Sequence, residues 1–426
     1  MRHGQLVNGQ RACQMLLPRW QKTLEKFHDQ PAIFDGERVI SFSDLAIALD
    51  SLPKATSTVP AQGSALQIAL ATLQGWRDQQ VVLPMEKPGL PELGPIPKGV
   101  AHLKLTPGNE GKPRTVRFTA EQIAADADRL VTAMALTPAI PNLATISLSH
   151  SYGYSSIILP LLLHGIPLQT VEVPFPAVVT AAWKNHPKVV VPAVPSMWRA
   201  WYRSGILKNA PIALAISAGA PLSLELETAI WNDCGLKLHN FYGASECGGI
   251  SYDQSTAPRT HPDDLGEALP GVEVDLDPSG RFIVRSSSVA LGYDDSRSDA
   301  NLSNGSFLTP DHGHLDGPRL LLDSRGGDTI NVAGRKLGPG RIEAVLRATG
   351  LVEKVRVFGI PSHDPERVDE VAALIQTAHP TADLARALAH TLAGWEIPRH
   401  WIPNPDPTDW QVTRQTLRKK HAALAK

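Results

Sequence analysis

Four short stretches carry side chains of the types and spacing needed to hold a nucleotide. Leu105 to Arg114 reads Leu-Thr-Pro-Gly-Asn-Glu-Gly-Lys-Pro-Arg. Thr106 leads into a turn punctuated by Gly108 and Gly111, whose backbone N–H groups can ring a polyphosphate while Lys112 adds a cation. Tyr242-Gly243-Ala244-Ser245-Glu246 sets a flat ring beside a hydroxyl and a carboxylate. A ring can cover a base, and a hard carboxylate suits Mg²⁺. Asp311, in Thr-Pro-Asp, offers a second carboxylate for a ribose, and Arg325, in Ser-Arg-Gly-Gly-Asp, a basic clamp. One such fragment is noise; four in this order are a parts list.

These parts need rigid elements behind them. A chain of 426 residues exceeds one ordinary core, so two or more domains are expected. Hydrophobic content of 42% with 19% charged residues reads as soluble and globular, and a formal charge of −1 leaves no nucleic-acid footprint. The basic run Arg418-Lys419-Lys420-His421 reads as the solvated end of a terminal helix. Cys13, Cys234 and Cys247 show neither metal-ligand spacing nor a disulfide framework, which points to a reducing compartment. Cys247 has no evident His or Asp partner and reads as a buried structural thiol. The first 20 residues carry polar groups throughout, and the longest apolar run, Ile157 to Leu163, is far shorter than the roughly 20 residues that span a bilayer. The expectation is a cytoplasmic protein with no membrane span.

Residues 31 to 48 read as a hairpin and a helix, with Asp35-Gly36 as the turn and Ser43 as the helix cap. Ser51 to Pro97 is interrupted by Pro and Gly. Ala120 to Met134 has helical spacing, with Ile123, Ala124, Ala127 and Leu130 on one face. Thr145 to Leu148 reads as a strand, Ile157 to Leu163 as a buried helix and Lys188 to Val191 as a buried strand. Alternating strands and helices imply an α/β fold with a mostly parallel, helix-covered sheet. Val272 to Leu276 and Phe282 to Val284 flank Pro278-Ser279-Gly280 as a hairpin opening a β-rich subdomain over 266–327. A hinge at Asp328 to Ile330 divides a large domain, 1–327, from a small C-terminal α/β domain, 328–426, with a helix at Arg341 to Leu346 and a strand at Val355 to Phe358.

In this order the motifs resemble the adenylate-forming (ANL) superfamily: acyl-CoA synthetases, aryl-CoA ligases and peptide-synthetase adenylation domains. Members activate a carboxylic acid with ATP as an acyl-adenylate, then usually pass the acyl group to a thiol. The resemblance covers roughly residues 30 to 420 and implies ATP or AMP and Mg²⁺ as bound groups. It implies CoA, or the phosphopantetheine of an acyl carrier protein, as acceptor. It also gives the residues roles. The Tyr242 ring stacks on adenine, Ser245 reaches the α-phosphate and Glu246 helps hold Mg²⁺. Gly219-Ala220-Pro221 lies along the adenine and the acyl pocket, Asp311 binds the ribose hydroxyls, Arg325 also contacts the ribose, and Asp328 is the hinge. His150, Tyr152 and Gly243 belong to the acid pocket, with Tyr154 and Val191 to Trp198 expected near them. Arg335 and Lys336 are either an acceptor-phosphate contact or a solvated pair.

The chain also departs from the family pattern. Pro107 replaces a serine and removes an N–H, while Asn109 and Glu110 replace two hydroxyl residues, Glu110 placing negative charge where phosphates belong. The stretch from Ser51 to Pro97 is shorter than in typical relatives, implying a lost or pared strand–helix unit. Pro405, Val412, Arg414 and Leu417 keep the register of the family's C-terminal motif and place Gln411 at its catalytic lysine, with Trp410 in place of a glycine. Gln411 can hydrogen-bond an oxyanion but brings no charge, a difference worth roughly a hundredfold in rate. Two readings follow: an acid–thiol ligase with weakened adenylation, or an adenylate-fold protein that binds a nucleotide or acyl-adenylate or serves as a complex partner. The identity of the acid, and CoA against a carrier protein, stay open.

Overall fold

Pro31–Asp35 pairs antiparallel with Arg38–Ser41 across a turn in which Gly36 takes φ +61°. The helix that follows, Phe42–Ser51, is capped by Ser41 rather than Ser43. Ser41 Oγ accepts the Asp44 N–H at 3.0 Å and the Ser41 N–H donates to Asp44 Oδ2 at 2.8 Å, a reciprocal box that only a residue three before Asp44 can close. The same device starts Ala65–Asp78 from Ser64 and Ala120–Ala133 from Thr119.

The computed structural model describes residues 15–86, 89, 91, 93–106, 114–278, 280–294, 301–303, 305–324, 330–332, 335–337, 339–363, 369–403, 405–410, 412 and 414–425. The chain divides into two units, the first comprising Met1–Asp275, Ile283–Leu308 and Asp316–Leu320, the second Leu276–Phe282, Thr309–Leu315 and Leu321–Lys426. The β-rich strands expected from Gly266 onward form, including Val272–Leu276 and Arg281–Ser286, and their residues are shared between the two units.

In the first unit the main sheet runs in the order Asp264–Ala268, Gly248–Tyr252, Leu238–Ala244, Ile212–Ser217, Val189–Ala193, Asn142–Ala144, Leu168–Thr170, Pro31–Asp35, Arg38–Ser41. Its centre is parallel, with Ala215 beside Leu238 and Val191, and its edges are antiparallel. Val189–Ala193 is buried along its whole length, as a central parallel strand covered on both faces must be. Trp198 and Trp201 on helix Pro195–Arg203 meet edge to face at 5.1 Å beneath it. The strand expected at Thr145 to Leu148 instead ends at Ala144, and the chain past it leaves the sheet for a loop.

A second sheet of five strands runs Gly292–Tyr293, Arg114–Phe118, His102–Thr106, Val82–Pro84, Val59–Ala61. Val59–Ala61 and Val82–Pro84 are parallel and joined by helix Ala65–Asp78, so the stretch that reads as shortened keeps one strand–helix–strand unit. His102–Thr106 and Arg114–Phe118 form the hairpin that carries the glycine-rich loop.

The second unit contains a three-stranded sheet, Lys354–Pro361 antiparallel to Asp369–Gln376, itself parallel to His400–Pro403. Helix Pro339–Ala348 and helix Thr381–Ala389 bring Ile342, Leu346, Leu384 and Leu388 into its core. Arg414 is a tether here: its Nε donates to the Val357 carbonyl at 2.9 Å and its guanidinium meets Glu343 at 2.8 Å. The basic end of helix Arg414–Lys420 is paired rather than merely solvated, Arg418 with Asp369 and Lys420 with Asp409, each at 2.6 Å.

Candidate active site

Tyr242 to Glu246 lie where strand Leu238–Ala244 turns back into Gly248–Tyr252. The pairing is bulged between Tyr242 and Gly243, and a bulge at a strand end re-aims side chains. A Cβ on Gly243 would stand 2.7 Å from the Gly248 carbonyl oxygen, so the close turn requires glycine there. Tyr242 is buried within the hairpin, while Ser245 and Glu246 are half-exposed at its tip. Cys247 is buried, and burial together with the neighbouring Glu246 and Asp126 pushes its thiol up, which makes it a poor nucleophile.

Glu246 is oriented from the second sheet. Tyr293 Oη donates to Glu246 Oε1 at 2.9 Å, and the Arg114 guanidinium lies 3.4 Å from the centroid of the Tyr293 ring. Arg114 follows the glycine-rich loop directly, so a chain of contacts joins that loop's exit strand to the carboxylate. Among the described residues no group of three or more His, Cys, Asp or Glu side chains could hold a metal by itself. A lone oriented carboxylate fits Mg²⁺, which is usually held by one or two carboxylates plus substrate phosphates.

Beside this tip opens a cavity of about 120 Å³. Its wall includes His150, Tyr152, Gly219, Gly243 and Ser245, so five of the sequence-predicted residues converge on one space. Tyr152 stacks on Phe241 with ring centroids 5.6 Å apart. His150 caps the short helical turn that starts at Ser151, its Nδ1 accepting the Tyr152 N–H at 3.3 Å. Tyr154, expected near this pocket, is committed elsewhere, at 3.0 Å from Thr72 Oγ1 and 3.3 Å from His102 Nδ1. Val191 and Trp198 sit in the tryptophan core. A larger open depression of about 770 Å³, lined by Glu86, Ser147 and Met197, lacks the motif residues.

Gly219, Ala220 and Pro221 form an exposed turn at the end of strand Ile212–Ser217, with Gly219 at φ +78°. Behind the turn, Arg259 Nη2 donates to the Leu222 carbonyl at 2.6 Å. The residue that follows the turn is thus tied to a buried charge network through Arg259 and Glu227.

Thr106 closes its strand opposite Arg114. Gly108, Gly111, Lys112, Arg325, Asp328 and Gln411 lie outside the described residues, as do the side chains of Arg335 and Lys336. Asp311 is buried on strand Ser306–Asp316, in the part assigned to the second unit, with its N–H 3.3 Å from Thr309 Oγ1.

Sequence reading missed Lys104 and Asp126. Asp126 is 2% exposed on helix Ala120–Ala133 and lines the cavity. Its Oδ1 accepts the Gly249 N–H at 3.0 Å, and a Cβ on Gly248 would fall 2.1 Å from that oxygen. Lys104 Nζ donates to Ser155 Oγ at 2.9 Å and stands 3.8 Å from Asp126 Oδ2. Burial holds the Lys104 pKa below its ordinary value despite Asp126, Cys247 and Glu246. One signal was present in the sequence: Asp126 interrupts the apolar face of its own helix.

A parallel sheet with motif residues at the carboxyl ends of its strands, and a cavity against them, is the place where open α/β sheets take their ligands. The chain belongs to the AMP-binding enzyme family, whose profile matches residues 42–294. An uncharacterized acyl-CoA ligase of Bacillus subtilis is 27% identical over 253 residues, 54% of this chain and 50% of that protein. The 2-succinylbenzoate–CoA ligase of Salmonella typhimurium is 26% identical over 315 residues, 72% of this chain and 66% of the relative. The matches span about half the length of the first of these curated relatives. Among solved structures, ATP-bound MatB from Rhodopseudomonas palustris superposes with a TM-score of 0.80 at 18% identity, covering 97% of this chain and all (100%) of that one. The o-succinylbenzoate CoA synthetase of Bacillus subtilis, in complex with its acyl-adenylate intermediate, gives 0.74 at 17% identity, covering 94% and 97% of the two chains. At such identities the likeness is one of fold. No helix among the described residues is long and apolar enough to cross a membrane.

Proposed function

We propose that this protein joins a compact carboxylic acid to AMP and passes the acyl group to a thiol, of CoA or of a carrier-protein phosphopantetheine. A carboxylate oxygen attacks the α-phosphorus of ATP and pyrophosphate leaves; a thiolate then attacks the acyl carbonyl and AMP leaves. Ser245 would meet the α-phosphate, and Glu246, steadied by Tyr293, would share Mg²⁺ with the phosphates. Tyr242 and the Gly219–Pro221 turn would flank the adenine, and Asp311 and Arg325 would take the ribose. Thr106, Gly108, Gly111 and Lys112 would face the leaving pyrophosphate.

The observation that carries this reading is the cavity against the Ser245–Glu246 tip. Its size favours a compact acid, because about 150 Å³ of apolar cavity holds one benzene. A single ring or short branched chain would fill about 120 Å³.

The test is acid-dependent exchange of pyrophosphate into ATP, screened over aryl, short-chain and long-chain acids with Mg²⁺. Exchange with small acids alone is the expected outcome. Gln411→Lys is expected to raise it by roughly a hundredfold, by restoring a cation where the family keeps one. The second reading, a binder without adenylation, is favoured by Gln411, Pro107 and Glu110. It predicts that ATP raises the melting temperature while no acid supports exchange.

A further inference from the structure

Helices Pro176–Trp183 and Pro195–Arg203 bury Val179, Trp183, Trp198 and Trp201 in one core and leave their outer faces to water. The first helix has no charged residue, and Val178 on its outer face is 38% exposed. It starts from a Val173-Pro174-Phe175-Pro176 turn in which Val173 is 42% and Phe175 66% exposed. A phenyl ring held in water forgoes the stabilisation that burial would give. The turn is stiffened by prolines on both sides of Phe175 and by Trp201, whose Nε1–H donates to the Pro174 carbonyl at 2.9 Å. Charge around this tip is one-sided. From Val173 to Leu224 the sequence has no Asp or Glu, yet it carries Lys184, Lys188, Arg199, Arg203 and Lys208 in a chain of formal charge −1. Arg199 and Arg203 stand one helical turn apart, on either side of the Trp201 that holds the tip. Lys184 directly follows the uncharged helix. Lys188 and Lys208 precede neighbouring parallel strands, where the Val189 N–H meets the Pro211 carbonyl at 2.8 Å. Among the described residues none of the five is ion-paired, in contrast to Arg418 and Lys420. The bordering carboxylates include Asp233, which accepts Tyr202 Oη, Asp35, which accepts the Thr170 hydroxyl at 2.7 Å, Glu172, which lines the larger depression, and Glu225 on the next helix.

We propose that this face rests on an anionic membrane surface, with Phe175 and Val178 entering the headgroup boundary and the five cations meeting lipid phosphates. The inference is independent of the acyl-site reading. An apolar helix face beside Lys and Arg holds a peripheral protein in the plane of a bilayer, and each cation adds to its attraction for an anionic leaflet. Protein interfaces enrich Arg but deplete Lys. Lys184, Lys188 and Lys208 fit a lipid surface better, because a long stem can lie along apolar material while its ammonium stays among headgroups. Neither cavity described above takes in Phe175 or Val178. Apolar side chains that project beside cations, rather than line a groove, suit a fluid partner.

The test is co-sedimentation of the full chain with phosphatidylcholine vesicles, with and without phosphatidylglycerol. Binding is expected only where phosphatidylglycerol is present, and it should fall as salt is raised. Arg199→Glu with Arg203→Glu should weaken the partition coefficient by roughly twenty-five-fold or more, since each cation near the surface is worth about fivefold. Phe175→Ser should weaken it roughly tenfold by removing the apolar anchor. Lys22→Glu with Lys26→Glu, on the first helix and outside the patch, should leave it nearly unchanged. Melting temperatures check that each variant is folded. If the arginine pair does not fold, Lys184→Glu with Lys188→Glu, both exposed and outside regular elements, serves in its place. Absence of binding, binding that ignores phosphatidylglycerol, or an equal loss in the Lys22 and Lys26 control would each overturn the proposal. Polyglutamate, tested by fluorescence anisotropy, separates the other occupant: its binding in place of vesicles would overturn the membrane assignment and give the face to an acidic protein.

Discussion

Helices Ala120–Ala133 and Leu224–Cys234 each carry a carboxylate almost fully out of water, Asp126 and Glu227, and each carboxylate meets a buried lysine, Lys104 and Lys237. The resemblance ends at the hydrogen bonds. Glu227 Oε1 takes Lys237 at 2.5 Å and the Arg259 N–H at 3.0 Å, and Oε2 takes Arg259 Nε at 2.9 Å. Lys237 also reaches Asp253 at 2.6 Å, whose other oxygen is held by Ser255. Burial works to raise the Asp253 pKa, and the bonds from Lys237 and Ser255 overcome it and hold the carboxyl below its usual range. Arg259 gives its Nη donors to the carbonyls of Leu222, Asp264 and Pro262. This network is closed: each charge is answered inside the protein. The Lys104–Asp126 pair is looser: Lys104 stays 3.8 Å from Asp126 Oδ2, and that buried oxygen takes no hydrogen bond from the described groups. Closure marks a group that holds the fold together, and a loose pair should contribute less to it.

The largest effect expected from this contrast is on the closed network. Glu227→Leu leaves Lys237 and Arg259 charged and partly unanswered, and should cost about 3–5 kcal/mol in urea denaturation. A loss below about 1 kcal/mol would mean that the network is ornamental and that closure carries no structural meaning. Because Arg259 holds the Leu222 carbonyl, the same variant should loosen the Gly219–Pro221 turn and weaken nucleotide binding.

The loose pair should behave differently. Lys104→Met is expected to cost about 2 kcal/mol, because it strands Asp126 without its nearest cation. Adding Asp126→Leu should bring the protein back to within about 1 kcal/mol of its parent, since the carboxylate was only half satisfied to begin with. Double-mutant analysis by denaturation checks this. A double variant no more stable than Lys104→Met alone would show that Asp126 Oδ1 on the Gly249 N–H holds the fold after all.

What the sequence revealed of this site follows from the same distinction. Tyr242 to Glu246 and Gly219 to Pro221 are contiguous motifs whose residue order is their signal, and both flank one cavity. The hairpin at Asp35-Gly36 and the helix from Ala120 were legible from turn chemistry and periodicity. Asp126, Lys104 and Tyr293 come from three distant segments, and only the two sheets bring them beside Glu246 and the cavity. The misplaced strand at Thr145 shows the limit of local pattern. Asn142–Ala144 is only three residues long and is set by parallel pairing with Leu168–Thr170 and Val189–Ala193, which no window of sequence contains. The cap at Ser41 was within reach, because its partner Asp44 lies three residues on.

A third buried polar group separates charge from closure and gives the smallest effect per step. His102 is fully buried and accepts the Trp76 Nε1–H on Nε2 at 2.8 Å. Its Nδ1–H must then face Tyr154 Oη at 3.3 Å, and Tyr154 in turn Thr72, whose hydroxyl donates to the Ile68 carbonyl. That chain is closed, and it is closed only for neutral imidazole. Burial first, and the nearby Lys104 charge second, bring the His102 pKa from 6.5 down to about 3. The unfolded chain therefore binds a proton that the folded one refuses between those two values. The stability this group contributes is fully present above pH 6.5 and falls by about 1.4 kcal/mol per pH unit as the pH drops toward 3. Urea titrations of the wild type and His102→Gln at pH 7, 6 and 5 isolate the term, because the carboxylates contribute alike to both proteins. The wild type should lose stability more steeply than the variant over that window; parallel curves would mean that His102 protonates in place. Lys104→Met adds a further twist, since removing its positive charge should raise the folded-state pKa of His102 and narrow the window from below. A narrowed window would establish that the loose pair and the closed chain share one electrostatic field. An unchanged one would confine the influence of Lys104 to Asp126 and Ser155.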